Sequence, residues 1–198
     1  LWQPAAYGSA SAPAAMIFSV LTKVGAYAVF RVSSVVFGAT AAAPHIDAVV
    51  QPLALLTLVV AALGAFSAKT LSRLVAWLAL ASSASVLVGV GTFSAAGAGA
   101  AFFYALPSTL ALAALFLLAD AIADARGAPW GDRLQRAPRM HGATALGLWY
   151  FAAAIAVSGL PPFAAFLGKA LRMQGSGPSP WGWVIILGTS LLNVVALA

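Results

Sequence analysis

The chain of 198 residues is 63% hydrophobic and 7% charged, with no cysteine and a formal net charge of +6. Its mean hydropathy is +0.99, and a soluble domain carries about 25% charged residues, so the composition reads as an all-α, polytopic membrane helix bundle. The lack of cysteine excludes disulfides, iron–sulfur clusters and Cys-based zinc sites, while basic residues placed between apolar stretches, with no aromatic-interleaved face, argue against a nucleic-acid partner.

Seven apolar segments are expected, since a span needs about 20 residues. The first, 14–31, carries Lys23 at its centre. At about 1.5 Å of rise per residue the lysine lies roughly 12–14 Å from either end, farther than its stem can snorkel. A charge at that depth is expensive and marks a functional site. The second segment, 48–67, holds Gln51 and Thr57. The third, 74–93, and the fourth, 100–122, are bordered or interrupted by small residues, Ala81-Ser-Ser-Ala-Ser85 and Ala95-Ala-Gly-Ala-Gly-Ala-Ala101, which permit close helix packing. A solvated loop is expected over 123–141, with Gly127, Pro129, Gly131 and Pro138 as breakers.

The fifth segment is 142–158 and the sixth, 160–174, begins in Gly159-Leu-Pro-Pro162. Two prolines without backbone donors either break the chain inside an apolar run or open the segment at its N-terminus, where proline is tolerated. Lys169 lies just beyond them, and the seventh segment is 181–198. The whole of 1–198 is expected to form one transmembrane domain. A first residue Leu, no signal peptide and a last segment still apolar at Ala198 are read as an internal fragment of a longer subunit.

The loops alternate in charge. Lys69 and Arg73 follow the second segment, Arg126, Arg133, Arg136 and Arg139 follow the fourth with Asp124 and Asp132, and Arg172 flanks the sixth. The loops around 94–99 and 158–160 carry no charge, and 32–47 adds only His45 and Asp47 beyond Arg31. By the positive-inside rule the basic loops are cytoplasmic.

Lys23 and Lys169 are the candidate functional residues. An amine in a low-dielectric setting can exchange its proton near neutral pH, which a proton relay needs and arginine cannot supply. No carboxylate lies mid-segment: Asp120 reads as an interfacial cap and Asp47 as a flank. Polar side chains able to carry a water chain are Thr22, Gln51, Thr57, Ser82, Ser83, Ser108 and Thr109, although hydroxyls in membrane helices mostly bond back to their own backbone. His45 and His141 stand in separate loops, so no metal site is expected, and with no phosphate-cradling glycine motif or nucleophile elbow no cofactor or catalytic residue is expected either.

Ala12-Pro-Ala-Ala15 followed by Leu21-Thr-Lys-Val-Gly-Ala-Tyr-Ala-Val-Phe-Arg31 resembles the lysine helix of the proton-translocating subunits shared by Mrp/Pha-type cation/proton antiporters and respiratory complex I. Arg73-Leu-Val-Ala-Trp77, Tyr104-Ala-Leu-Pro-Ser-Thr-Leu110, Ala114-Leu-Phe-Leu-Leu-Ala119 and Gly159-Leu-Pro-Pro-Phe-Ala-Ala-Phe-Leu-Gly-Lys169 follow in that family's order. The resemblance implies the second half of an inverted-repeat subunit of about fourteen helices, with a broken helix in each half. It also implies that Lys23 is the central pumping lysine, that Lys169 belongs to the second broken helix, and that the acidic partner of Lys23 lies upstream of this sequence.

The chain departs from the family pattern at Thr70-Leu-Ser-Arg73, at Pro107 in place of a histidine, at Leu112 in place of a lysine, and around Ser82-Ser-Ala-Ser85. Gln51, Ser82, Ser108 and Thr109 remain as support for a relay. These departures resemble the D-type member of Mrp/Pha antiporters more than the complex I subunits. The expected function is then a proton-translocating subunit of a multisubunit Na⁺ or K⁺/H⁺ antiporter in a bacterial inner membrane, partnered by the other subunits, H⁺, the cation and lipid. The alternatives are a proton-pumping subunit of complex I or a related membrane hydrogenase, without a redox site of its own, and a packing subunit that translocates nothing.

Overall fold

The structure is a computed structural model that describes residues 2–37, 43–92, 94–127, 131–135, 142–161, 163–175 and 180–197. The described chain is a bundle of α1 (Trp2–Ser9), α2 (Ala12–Val32), α3 (Ala43–Phe66), α4 (Leu71–Val90), α5 (Ala95–Arg126), α6 (Ala143–Ser158), α7 (Ala164–Gly175) and α8 (Pro180–Leu197), with a π-helical turn Ser33–Phe37 after α2. Four helical stretches are long and apolar enough to cross a membrane, Ala12–Val36, Ala48–Phe66, Leu71–Val90 and Ala95–Arg126, and Ala143–Ser158 and Trp181–Leu197 are shorter apolar helices. His141, Pro129, Pro138, Arg136, Arg139 and Pro162 lie outside the described residues, as do the side chains of His45, Asp47 and Arg172.

Two elements differ from the sequence expectation. Helix α1 had no counterpart: it spans eight residues, too short for a periodic pattern, and its Pro4 is accepted because the first turn needs no internal donor. The stretch 94–99, read as a loop, is instead the start of α5. Ser94 closes that end by accepting the Gly97 backbone N–H at 3.0 Å, and the alanines that follow are the best helix formers. At its other end α5 runs on to Arg126, so the expected loop begins only after it. Asp120, read as an interfacial cap, therefore sits on an exposed face more than a turn before the helix ends.

Helix α4 is the centre of the bundle, buried along nearly its whole length and packed against α1, α2, α3, α5 and α8. Thr70 caps it, its Oγ1 accepting the Arg73 N–H at 3.3 Å. The principal core gathers Leu71, Leu74, Val75 and Leu78 of α4, Leu112, Leu115 and Phe116 of α5, and Ala153, Ala154 and Val157 of α6. Leu112, where the resemblance places a lysine, is fully buried there. The two basic loops meet on one side: Leu71 N donates to Asp132 O at 2.7 Å, Leu134 N donates to Lys69 O at 3.1 Å, and Arg126 Nη1 donates to Arg133 O at 2.8 Å.

The α3–α4 contact depends on a missing side chain. A Cβ on Gly64 would run into the indole of Trp77, whereas one on Gly99 would meet nothing within 4 Å. Gly64→Val is expected to lower stability by about 1–3 kcal/mol through overpacking, while Gly99→Ala on the exposed face of α5 is expected to raise it by about 0.5–1 kcal/mol. The thermal midpoint of the full-length protein in detergent checks both, and an unchanged midpoint for Gly64→Val would show that Trp77 simply moves aside.

Candidate functional site

Helix α2 turns one narrow face inward. Ala15, Ser19, Lys23 and Ala26 are buried at helical spacing, while Ile17, Val20, Leu21, Val24 and Tyr27 remain exposed. That inward face packs against α4 and α5. Lys23 is 8% exposed, and its Nζ has no hydrogen-bond partner among the described residues. A buried ammonium in that condition lacks the compensation that normally retains a charge in an apolar interior. The neighbouring Thr22 bonds back to the Phe18 and Ser19 carbonyls, at 3.1 Å in each case.

Lys169 is built into its place by a helix break. Helix α6 stops at Ser158, and Gly159 follows in the left-handed conformation, φ 68°, its N–H turning back to Ala156 O and Ile155 O. Glycine is the residue that takes this C-terminal position without steric cost. The chain resumes as α7 only at Ala164, so Pro161 stands in the connection and opens neither helix. Lys169 Nζ reaches back across the gap, donating to Ser158 O and to Ser190 Oγ of α8 at 2.9 Å. A cation at the carbonyl end of a helix is stabilised by its dipole and by the open carbonyls there.

Two glycines make room for this arrangement. A Cβ on Gly159 would stand 2.9 Å from the Lys169 Cδ and Cε, and one on Gly168 would stand 2.8 Å from Tyr104 Cβ. Hence α6 lets the lysine stem pass over its end, and α7 lies directly against α5. Lys169 borders two cavities. One, of about 360 Å³, is an apolar crevice that includes Leu160, Phe166, Leu187 and Leu191; the other is a small polar cavity that includes Ser82, Tyr104 and Asn193.

The two lysines are not in one pocket. An apolar cluster of Ala26, Val86, Val90, Ala101, Tyr104, Ala105 and Ala165 contains a residue one turn from each of them. Of the polar residues expected to support a relay, Ser82 lines the cavity at Lys169. Ser108 and Thr109 both donate to Ala105 O, at 3.0 and 2.6 Å, and so are engaged by their own helix. Gln51 lies with its backbone against Gly91, at the end of α4. Ser158, Ser190, Asn193 and Tyr104 were missed. Asn193 stands one helical turn beyond Thr189 and Ser190 in an apolar segment, the same signal that singled out Ser82, and it was available on α8.

A family described as NADH:quinone oxidoreductase/Mrp antiporter, transmembrane, matches residues 1–194. The chain belongs to this family. Among curated relatives it is 31% identical over 193 residues to a Rhizobium meliloti protein named as the D-type member of a probable K(+)/H(+) antiporter, covering 88% of this chain and 36% of that protein. It is 28% identical over 204 residues to the putative antiporter subunit mnhD2 of Staphylococcus aureus, covering 100% of this chain and 39% of that one. The chain thus spans less than two fifths of the length of these relatives, 36% and 39%.

Solved members of similar fold include the Mrp complex from Dietzia sp., with TM-score 0.78 and 25% identity over 99% of this chain and 36% of that one. The archaeal membrane-bound sulfane sulfur reductase gives TM-score 0.87 at 22% identity, over 98% of this chain and 40% of that one, a likeness of fold alone. With membership in this family, the long apolar helices are those of a multi-pass membrane protein.

Gly159→Ala is expected to place a Cβ against the lysine stem and to strain a left-handed residue, costing about 1–2 kcal/mol. Lys169 should then react faster with an amine-directed reagent, read by mass spectrometry of the labelled full-length protein. Gly147→Ala, where a Cβ meets nothing within 4 Å, is the control. Equal labelling of Lys169 in the two variants would refute the role assigned to Gly159.

Proposed function

We propose that this chain is part of the D-type, proton-translocating subunit of a multisubunit Na⁺ or K⁺/H⁺ antiporter of the bacterial inner membrane, working with the other subunits of that complex. Its described helices form one transmembrane unit in which Lys23 and Lys169 exchange protons. The observation that carries this reading is two amines in contrasting settings: buried Lys23, its Nζ without a partner among the described residues, and half-buried Lys169, its Nζ on the carbonyl end of α6. The Rhizobium meliloti and Staphylococcus aureus relatives, both named as antiporter subunits, support the antiporter setting.

The chemistry follows from those settings. Lys23 holds a charge stably only when an acidic group of the longer protein faces it, so arrival and departure of its proton is coupled to the position or state of that group. Lys169 has a carbonyl and a hydroxyl waiting for its ammonium, and its proton exchanges across the helix break. Arginine at either position would hold its proton throughout.

In the full-length complex, Lys23→Ala and Lys169→Ala are each expected to lower cation-dependent proton movement in inverted vesicles by at least about tenfold at normal complex levels. Lys23→Arg is expected to fail similarly because it keeps the charge and loses the exchange. Wild-type transport in Lys23→Ala would overturn the relay role, and full activity in Lys23→Arg would leave only an electrostatic one. The similarity of fold to respiratory complex I from Thermus thermophilus, TM-score 0.78 at 23% identity over 92% of this chain and 38% of that one, keeps a redox-driven pump as the second reading. Antiport by the purified complex without any electron donor decides between the two.

A further inference from the structure

The hydroxyls of the membrane helices divide into two kinds. Thr22, Thr57, Ser83, Ser108 and Thr109 each donate to a carbonyl of their own helix. Ser82 does not. It is 3% exposed, and its Oγ has no hydrogen-bond partner among the described residues. On α8, Asn193 is 9% exposed, and its Oδ1 is likewise without a partner. These two side chains come from helices distant in sequence, yet they line one small cavity of about 10 Å³, whose wall also includes Ser85, Tyr104, Ser190 and Lys169.

Size and chemistry together define what fits. A single water needs about 10–15 Å³ of such space and two to four polar partners, whereas apolar voids stay dry. The cavity offers two buried polar atoms that require a partner, with the Lys169 side chain at its edge. A metal cation fits poorly: no carboxylate is among the lining residues, and an ammonium beside it repels a second positive charge.

We infer that the cavity between α4, α5 and α8 is a binding site for a structural water, held by Ser82 and Asn193, which gives Lys169 its proton contact with α4. This rests on the reading of Lys169 as a proton-exchanging group and adds the group it exchanges with. A water held there donates to one orphaned oxygen and accepts from a hydroxyl or the ammonium, so a proton leaving Lys169 has an acceptor inside the bundle. Helix α5 offers no equivalent route through Ser108 and Thr109, whose protons are committed to Ala105 O.

The test uses the full-length complex in inverted vesicles, with complex levels measured alongside transport. Ser82→Val fills the cavity and removes the hydroxyl, and Asn193→Leu removes the amide at similar volume. Both are expected to slow proton movement by at least about tenfold with the Na⁺ or K⁺ half-saturation unchanged. Ser82→Gly makes room for a second water in place of the hydroxyl and is expected to run at least about threefold faster than Ser82→Val. Ser83→Ala, which loses only a bond within its own helix, is the control for handling α4.

Equal rates for Ser82→Val and Ser82→Gly would reduce the cavity to a packing detail and overturn the inference. A shifted Na⁺ or K⁺ half-saturation at unchanged maximal rate would replace the water with a cation site. Should Ser82→Val fail to assemble, a map of the wild-type complex sharp enough to show waters decides: density within hydrogen-bond reach of Ser82 Oγ and Asn193 Oδ1 supports the site, and an empty cavity overturns it. An inactive Lys169→Ala with a fully active Ser82→Val removes the water site alone, whereas a fully active Lys169→Ala removes the relay reading beneath it.

Discussion

A helix that ends inside an apolar bundle leaves carbonyls that bulk water does not reach, and this chain meets that constraint with a lysine. Lys169 Nζ occupies Ser158 O at the end of α6 and Ser190 Oγ on α8. The contact ties three helices at one point and fixes the break between α6 and α7. It also explains why glycines stand at 159 and 168, since the stem must cross one helix end and α7 must approach Tyr104 closely. An unsatisfied backbone group in hydrocarbon costs several kcal/mol by rough transfer values, enough to make such a break untenable without its partner.

The bundle around that point is built for close approach. Helix α4 is enclosed because small residues line it and because its neighbours present small residues in return, as Gly64 does to Trp77. Without a hydrophobic drive between helices in lipid, packing of this kind is what holds them. Close packing has a second effect: it strands polar atoms where no bulk water reaches. Ser82 and Asn193 are stranded in this way, and they share one cavity.

Lys23 represents the opposite case. Its face of α2 is buried but its Nζ is uncompensated among the described residues, while the other face of α2 is broadly exposed. One apolar cluster joins Ala26, a turn from Lys23, to Ala165, a turn from Lys169, and holds Tyr104 and Ala105. In the proposed relay the two lysines are therefore separate stations, one awaiting an acidic group and the other settled on a helix end.

Much of this was legible from residue types. Low charge and long apolar runs determine an all-α membrane bundle, because only helices with internally bonded backbone survive as spans at this composition. Lys23 and Lys169 stood out because charge at depth is rare, whereas Pro161 and Pro162 left open whether the chain breaks there or the segment merely begins, since proline suits both. What residue types left open was which partners each polar group finds. Whether a buried hydroxyl turns to its own carbonyl, as Ser108 does, or faces a cavity, as Ser82 does, depends on the side chains of other helices. The loop expected at 94–99 became helix because Ser94 caps it, and although the polar residues of α8 stand in the sequence, that Ser190 accepts from Lys169 is set by the fold that brings α7 and α8 within reach. Spacing along one helix sets which face a residue occupies, but its hydrogen-bond partner is set by a helix elsewhere in the chain, and that pairing exists only in the folded bundle.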